Sequence, residues 1–163
     1  DQGVYRIIMA KKRISRNFFI MLSLFFAFFL ISLVFMTVDA DRRVERVLFF
    51  PDEDGRQLQG ELRRLPEREE MAGNIELYIE ELLLGPVSID LYRLFPQDAR
   101  LDSLLVDESI LYLGFSENLI TTAESVPMSL NDIVGAVERA VVFNFPEIKE
   151  VKTTIGGEPV VDR

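Results

Sequence analysis

From Phe18 to Val38 every position is apolar or a small hydroxyl, with no charge, proline or glycine. As an α-helix this stretch reaches roughly 31 Å, about the thickness of a bilayer's hydrocarbon core. A helix buried in a small domain keeps a polar face, and this one has none. The pattern therefore predicts a membrane span, with Phe18, Phe25, Phe26, Phe29, Leu33 and Val38 among its lipid-facing residues. It lacks the small-xxx-small spacing that lets helices approach closely, so its phenylalanines read as lipid-facing bulk. Lys11, Lys12, Arg13 and Arg16 precede it, while the far side is mixed in sign: Asp39, Asp41, Arg42, Arg43, Glu45 and Arg46. The positive-inside bias puts the N-terminus in the cytoplasm and the rest outside. Val38-Asp39-Ala40 offers the rival reading of a cleaved signal peptide. The apolar stretch exceeds the usual ~7–15 residues of a signal's apolar region, which favours a retained anchor. Met9-Ala10-Lys11-Lys12-Arg13 reads as an initiator followed by a basic segment, with residues 1–8 either upstream of it or a short cytoplasmic tail.

Beyond the span the periodicity changes twice. Val44 to Phe50 is rich in β-branched and aromatic residues and stops at Pro51, which predicts a strand. Asp52-Glu53-Asp54-Gly55 predicts a turn, and the polar stretch 56–65 leaves room for a short second strand. Ile75, Tyr78, Ile79, Leu82 and Leu83 recur at helical spacing, with Glu76, Glu80 and Glu81 opposite and Gly85-Pro86 as a stop. Leu104 to Val106 and Ile110 to Phe115 predict a hairpin about Asp107-Glu108-Ser109. Residues 116–127 read as a loop with Leu119 and Ile120 tucked inward. Ser129, with Asp132 three residues on, opens a second helix. Its stripe is Ile133, Val134, Val137, Ala140 and Val141, and Phe143, Phe145 and Pro146 end it. Val151 to Ile155 and a strand from Pro159 flank Gly156-Gly157. The expected fold class is α+β: a transmembrane helix, then one small mixed sheet with two helices on one face, in the order β-α-ββ-α-ββ. The expected organisation is a basic N-terminus over 1–17, the span over 18–38, a linker over 39–43 and one domain over 44–163.

Composition narrows the chemistry. The chain has 163 residues, no cysteine and no histidine, and a net charge of −9. Disulfides, lipidation through cysteine, and Ser-His-Asp or Cys-His catalysis are excluded. The basic residues before the span leave the acidic excess to the domain, which excludes nucleic acid as a partner and makes the domain repel anionic lipid.

Phe49-Phe50-Pro51-Asp52-Glu53-Asp54-Gly55 and Glu80-Glu81-Leu82-Leu83-Leu84-Gly85-Pro86 resemble the opening of the GerMN domain. Tyr112-Leu113-Gly114-Phe115-Ser116 resembles its central strand. Phe145-Pro146-Glu147-Ile148-Lys149-Glu150-Val151 and Gly157-Glu158-Pro159-Val160 resemble its close. The ordered set covers about residues 44–161. Gly114 stands where the family often has Asp, and Ser109 replaces a frequent turn glycine. The resemblance implies a bacterial envelope domain of the sporulation and germination type, similar to the ring-building motifs that assemble side by side. Oligomerisation is what the resemblance implies.

Several residues carry sharper readings that the pattern does not favour. Asp52-Glu53-Asp54-Gly55 has too few further acids for Ca²⁺, with Glu61 the nearest downstream. Glu76, Glu80 and Glu81 lie on one helix face, not across a cleft as a glycosidase pair would. Gly156-Gly157 leads into a strand rather than the helix N-terminus a phosphate loop needs. The expectation is therefore a non-catalytic, membrane-anchored envelope scaffold without catalytic residues, cofactor or metal. It would join an envelope complex or oligomerise. One alternative is a wall- or small-ligand-binding module stacking on Tyr78, Tyr92 or Tyr112. A more distant one is a wall hydrolase using Asp98, Asp102 or Asp107.

Overall fold

The computed structural model describes residues 18–33 and 42–160, and the chain divides into two units, 1–41 and 42–163. In the first unit residues 18–33 form helix α1, and its side chains, Phe18, Phe25, Phe26, Phe29 and Leu33 included, are exposed. Among the described residues no helix is long and apolar enough to cross a membrane. Residues 34–38, with Val38, and the basic Lys11, Lys12, Arg13 and Arg16 lie outside the described residues.

The second unit is α+β. Strands β1 (Arg43–Pro51) and β2 (Leu58–Pro66) form an antiparallel hairpin. Its turn is held by Asp52, whose Oδ1 accepts from the backbone N–H of Arg56 and Gln57 at 3.0 and 3.3 Å. Gly55 has φ +67°, and a Cβ there would lie 2.1 Å from the Pro127 carbonyl oxygen. Glycine is thus required twice over, by conformation and by space. Helix α2 (Met71–Leu84) buries Ile75, Tyr78, Ile79 and Leu82. After a loop, β3 (Leu101–Asp107) and β4 (Ile110–Phe115) pair antiparallel. Residues 116–127 contain a short helix α3 (Asn118–Thr121) and one 3₁₀ turn. Helix α4 (Leu130–Asn144) is capped by Ser129, whose Oγ accepts from the Asp132 N–H at 3.3 Å. Strand β5 (Glu150–Ile155) then returns parallel to β4, and β6 (Glu158–Pro159) closes the chain's last described hairpin.

Two expectations are corrected here. The strands form two sheets rather than one: β1-β2, and β3-β4-β5-β6. The reason lies at Val47, on the open side of β1. Its N–H donates to Asn144 Oδ1 at 2.9 Å, and its carbonyl accepts from Asn144 Nδ2 at 2.8 Å and from the Tyr78 hydroxyl at 2.9 Å. Side chains from α4 and α2 thus take the backbone groups that a neighbouring strand would use. Strand β2 is also a full partner of β1 over nine residues, held in register by β1 despite its polar sequence. Smaller differences arise from packing: Leu119 is buried but Ile120 is half exposed, and Leu83 is only partly covered. Both helices contact both sheets. The core between them includes Leu48, Phe50, Ile79, Leu82, Leu111, Leu113, Ile133 and Val137.

Candidate functional site

The end of α2 concentrates the domain's charged contacts. A helix leaves its last carbonyls without partners, and cations are favoured there. α2 has no basic residue in its last turn. Arg93 supplies one from the following loop: its guanidinium donates to the Leu84 carbonyl at 2.8 Å and to the Leu83 carbonyl, and its Nε to Phe95 O at 3.3 Å. Arg63 supplies another from β2, donating to Gly85 O at 2.7 Å. Gly85, at φ +91°, packs so closely on Arg93 that a Cβ would meet its side chain at 3.1 Å.

Arg63 also joins two carboxylates. It donates to Glu61 Oε1 through Nε at 2.7 Å and to Glu81 Oε2 through Nη1 at 2.7 Å. Glu61 in turn accepts from the Val87 N–H at 3.0 Å and the Ser88 N–H at 2.9 Å. Partial burial pushes the Glu61 carboxyl up. The Ser88 N–H, Arg63 and the Val87 N–H outweigh that and hold it below the usual 4.5. The loop's far end is tied by the Tyr92 N–H to the Pro51 carbonyl at 2.9 Å.

This clamp holds a stretch whose side chains face solvent. Val87 is 79% exposed and Ile89 95%, with Leu84 and Tyr92 also exposed, whereas Leu94 and Phe95 a few residues on are buried. Apolar side chains gathered on a surface segment mark interaction sites more often than scattered ones do. The arrangement suits contact with a partner surface, because the backbone is fixed before binding and little order must be gained.

The sequence-predicted positions fall elsewhere. Asp52 is used by its own turn. Glu81, expected on a solvated face with Glu76 and Glu80, is bonded to Arg63 instead, because β2 passes beside that side of α2. Glu76 and Glu80 are exposed, as are Asp98, Asp102 and Asp107. Asp102 and Asp107 sit at opposite ends of β3, and Asp98 lies in the loop before it, so these three acids do not share a cleft. Tyr78 cannot stack on a ligand: its ring is buried against Phe145, and burial pushes its hydroxyl pKa well up. Tyr92 and Tyr112 are exposed, and Lys152 Nζ lies 5.5 Å from the Tyr112 ring centre. Gly156-Gly157 turns β5 into β6. Among the described residues no group of three or more acids is placed to hold a metal ion. Sequence reasoning missed Arg63 and Arg93. The one signal for Arg63 was its spacing of two from Glu61, which puts both on the same face of a strand.

A family model described as Germane, sporulation and spore germination, matches residues 47–161. The chain belongs to the GerMN family. The family is described as one of sporulation and spore germination. The fold is similar to the first GerMN domain of the sporulation protein GerM from Bacillus subtilis, with TM-score 0.57 and 22% identity, over 72% of this chain and 86% of that one. It is also similar to the tandem GerMN domains of the same protein, with TM-score 0.53 and 16% identity, over 77% of this chain. This chain spans 48% of that tandem structure. No curated protein matches the sequence. The GerMN pieces noted in the sequence now have structural work: Asp52 and Gly55 close the first hairpin, and Glu81 and Gly85 build the clamp.

Proposed function

We propose that this GerMN chain is a single-pass protein of the cytoplasmic membrane, anchored through residues 18–38. Its N-terminus lies in the cytoplasm and its domain is presented outside as a non-catalytic interaction module. The charge-free stretch and the basic cluster before it support the anchor and its direction. The observation that carries the interaction reading is the clamped loop with Val87 and Ile89 in solvent. The partners are envelope proteins, which bury these side chains as anchor residues of an interface. Truncation of such anchors costs ~2 kcal/mol or more of binding.

Two experiments test this. A reporter active only outside the cytoplasm, fused after Arg163, is expected to be active; activity of a cytoplasm-only reporter there overturns the orientation. Val87→Asp with Ile89→Asp in the full chain is expected to abolish co-purification of envelope partners from detergent extracts while thermal unfolding is unchanged. Undiminished co-purification by that variant, with loss caused instead by removing a single carboxylate such as Asp98, would turn the reading toward catalysis or ligand binding.

A further inference from the structure

A second surface lies beside the loop's helix but is built differently. Strand β3 is an edge of the four-stranded sheet and, among the described residues, pairs only with β4. Its hairpin closes through two residues, Glu108 and Ser109, so Asp107 and Ile110 form the closing hydrogen-bonded pair. In an antiparallel ladder the bonding direction alternates, which turns the backbone groups of Val106 and Leu104 away from β4. An edge of this kind is a template for another strand unless something covers it.

Beside the first half of that edge lies a groove of about 330 Å³, between the N-cap Glu70 with Gly73 and Glu76 of α2 and Asp102, Ser103 and Leu104 of β3. Gly73 lines it, and a Cβ there would meet the Arg68 side chain at 3.3 Å. The same side of α2 continues into a hollow of about 520 Å³ that adds Glu69 and Glu80, with Arg68 as the one cation of its lining. The excess of carboxylates decides among occupants. A second copy of this chain paired through its own β3 would bring further acids, Asp102, Asp107 and Glu108, to an edge that already carries them. Anionic lipid would be repelled in the same way.

We propose that the α2–β3 groove takes an extended, lysine- or arginine-rich segment of a partner protein, which adds to β3 as a further strand. Main-chain bonds to Leu104 and Val106 supply affinity, and alternate basic side chains meet Glu70, Glu76 and Asp102. Residues of such a segment project to opposite faces in turn, so every second residue is the basic one. This surface is independent of the loop at 84–92, and a partner can use either alone.

The test uses the full chain in detergent and two synthetic ten-residue peptides, one alternating lysine with valine or threonine, the other with glutamate in place of lysine. The basic peptide is expected to bind and the acidic one not. On binding, the Leu104 and Val106 amides should slow in residue-resolved hydrogen exchange, with no slowing at Val87 or Ser88. Glu76→Lys combined with Asp102→Lys should weaken binding by at least tenfold with unchanged thermal unfolding, and added salt should weaken the wild-type complex. Binding that leaves the two β3 amides unprotected overturns strand addition. Binding insensitive to the charge reversal overturns the basic occupant. Concentration-dependent protection of the same amides without peptide would make a second copy the occupant instead and overturn the proposal.

Discussion

The last turns of α2 and α4 both lack a basic residue of their own, and both receive an arginine from a β-strand. At α4 the guanidinium of Arg46 in β1 donates to the Asn144 carbonyl and lies 4.3 Å from the Phe145 ring centre. At α2 the donor is Arg63 of β2, joined by Arg93. The chain leaves the two helices in different directions. After α4 it turns inward, with Phe145 and Ile148 buried. After α2 it runs over the surface with Val87 and Ile89 in solvent. The two ends share a device for satisfying helix carbonyls, but only the first uses it to complete the core. At the second, charge and hydrogen bonds hold a segment that contributes almost no burial. Order is thus maintained there without burial, which is the feature on which the proposed interaction reading rests.

The largest expected effect lies in the core that both helix ends share. Leu82→Ala, one turn before the clamp at a fully buried position, is expected to cost the domain ~2–4 kcal/mol. Glu80→Ala on the exposed side of the same helix should stay within about 0.5 kcal/mol. Urea unfolding of the domain from Arg42 onward measures both. Equal losses would mean that α2 does not bury the face described.

At the α4 end, Asn144→Ala removes the acceptor of the Val47 N–H and donors to the Val47 and Ala140 carbonyls. A buried backbone group left unsatisfied costs ~1–3 kcal/mol beyond the lost bonds, so about 2–3 kcal/mol is expected by the same measurement. Faster hydrogen exchange at Val47 should accompany it. A loss under about 0.5 kcal/mol would mean that water replaces the amide and that Asn144 is not what closes the edge of β1.

How much of this was legible depends on the range of each interaction. The apolar stripes of α2 and α4 repeat at helical spacing, and the structure buries Ile75, Ile79, Leu82, Ile133, Val137 and Val141 as read. The Ser129 cap and the limits of β4 are local signals and hold as well. The strand β2 was faint because its register comes from β1 and its composition is polar. The division into two sheets was invisible, since it rests on Asn144 reaching Val47 across most of the domain's length. Arg63 and Arg93 were missed for the same reason: each serves carbonyls of a helix to which it does not belong. Val87 and Ile89 follow the Gly85-Pro86 stop and drew no reading of their own, since nothing in a loop's sequence says which apolar side chains fold inward and which stay out.

At the α2 end the clamp responds to pH through Glu61. Glu61 has a folded pKa below its ordinary value, so the folded state binds that proton less readily than the unfolded chain. The stability this group contributes is present above its unfolded value of about 4.5 and is lost as pH falls through the lowered one. Glu61→Gln should cost about 1 kcal/mol near neutrality, the scale of a charge-assisted bond on a partly covered site. It should also lose less on acidification below pH 4.5 than the parent. Exchange at the Val87 and Ser88 amides should quicken in the variant. Parallel stability curves through the acid range would show that the carboxylate does not hold the loop.

The smallest effect on stability is expected where the effect on association is largest. Ile89 is 95% exposed and Val87 79%, so neither gains much exposure when the chain unfolds, and apolar transfer contributes in proportion to the area removed from water. Val87→Ser with Ile89→Ser should therefore leave unfolding within about 0.5 kcal/mol of the parent. The clamp bonds the backbone N–H groups of Val87 and Ser88, not these side chains, so the exchange of those amides should also be unchanged. Leu94→Ser is the matched control from the same connecting segment: its side chain is fully buried, and a leucine-to-serine change there should cost several kcal/mol, ~3 or more, by adding a polar group to the lost packing. A double serine variant as destabilised as Leu94→Ser would mean that the two side chains are covered within the domain. One that is stable and fully ordered, yet lighter in co-purified protein, leaves association as what the exposed side chains are for.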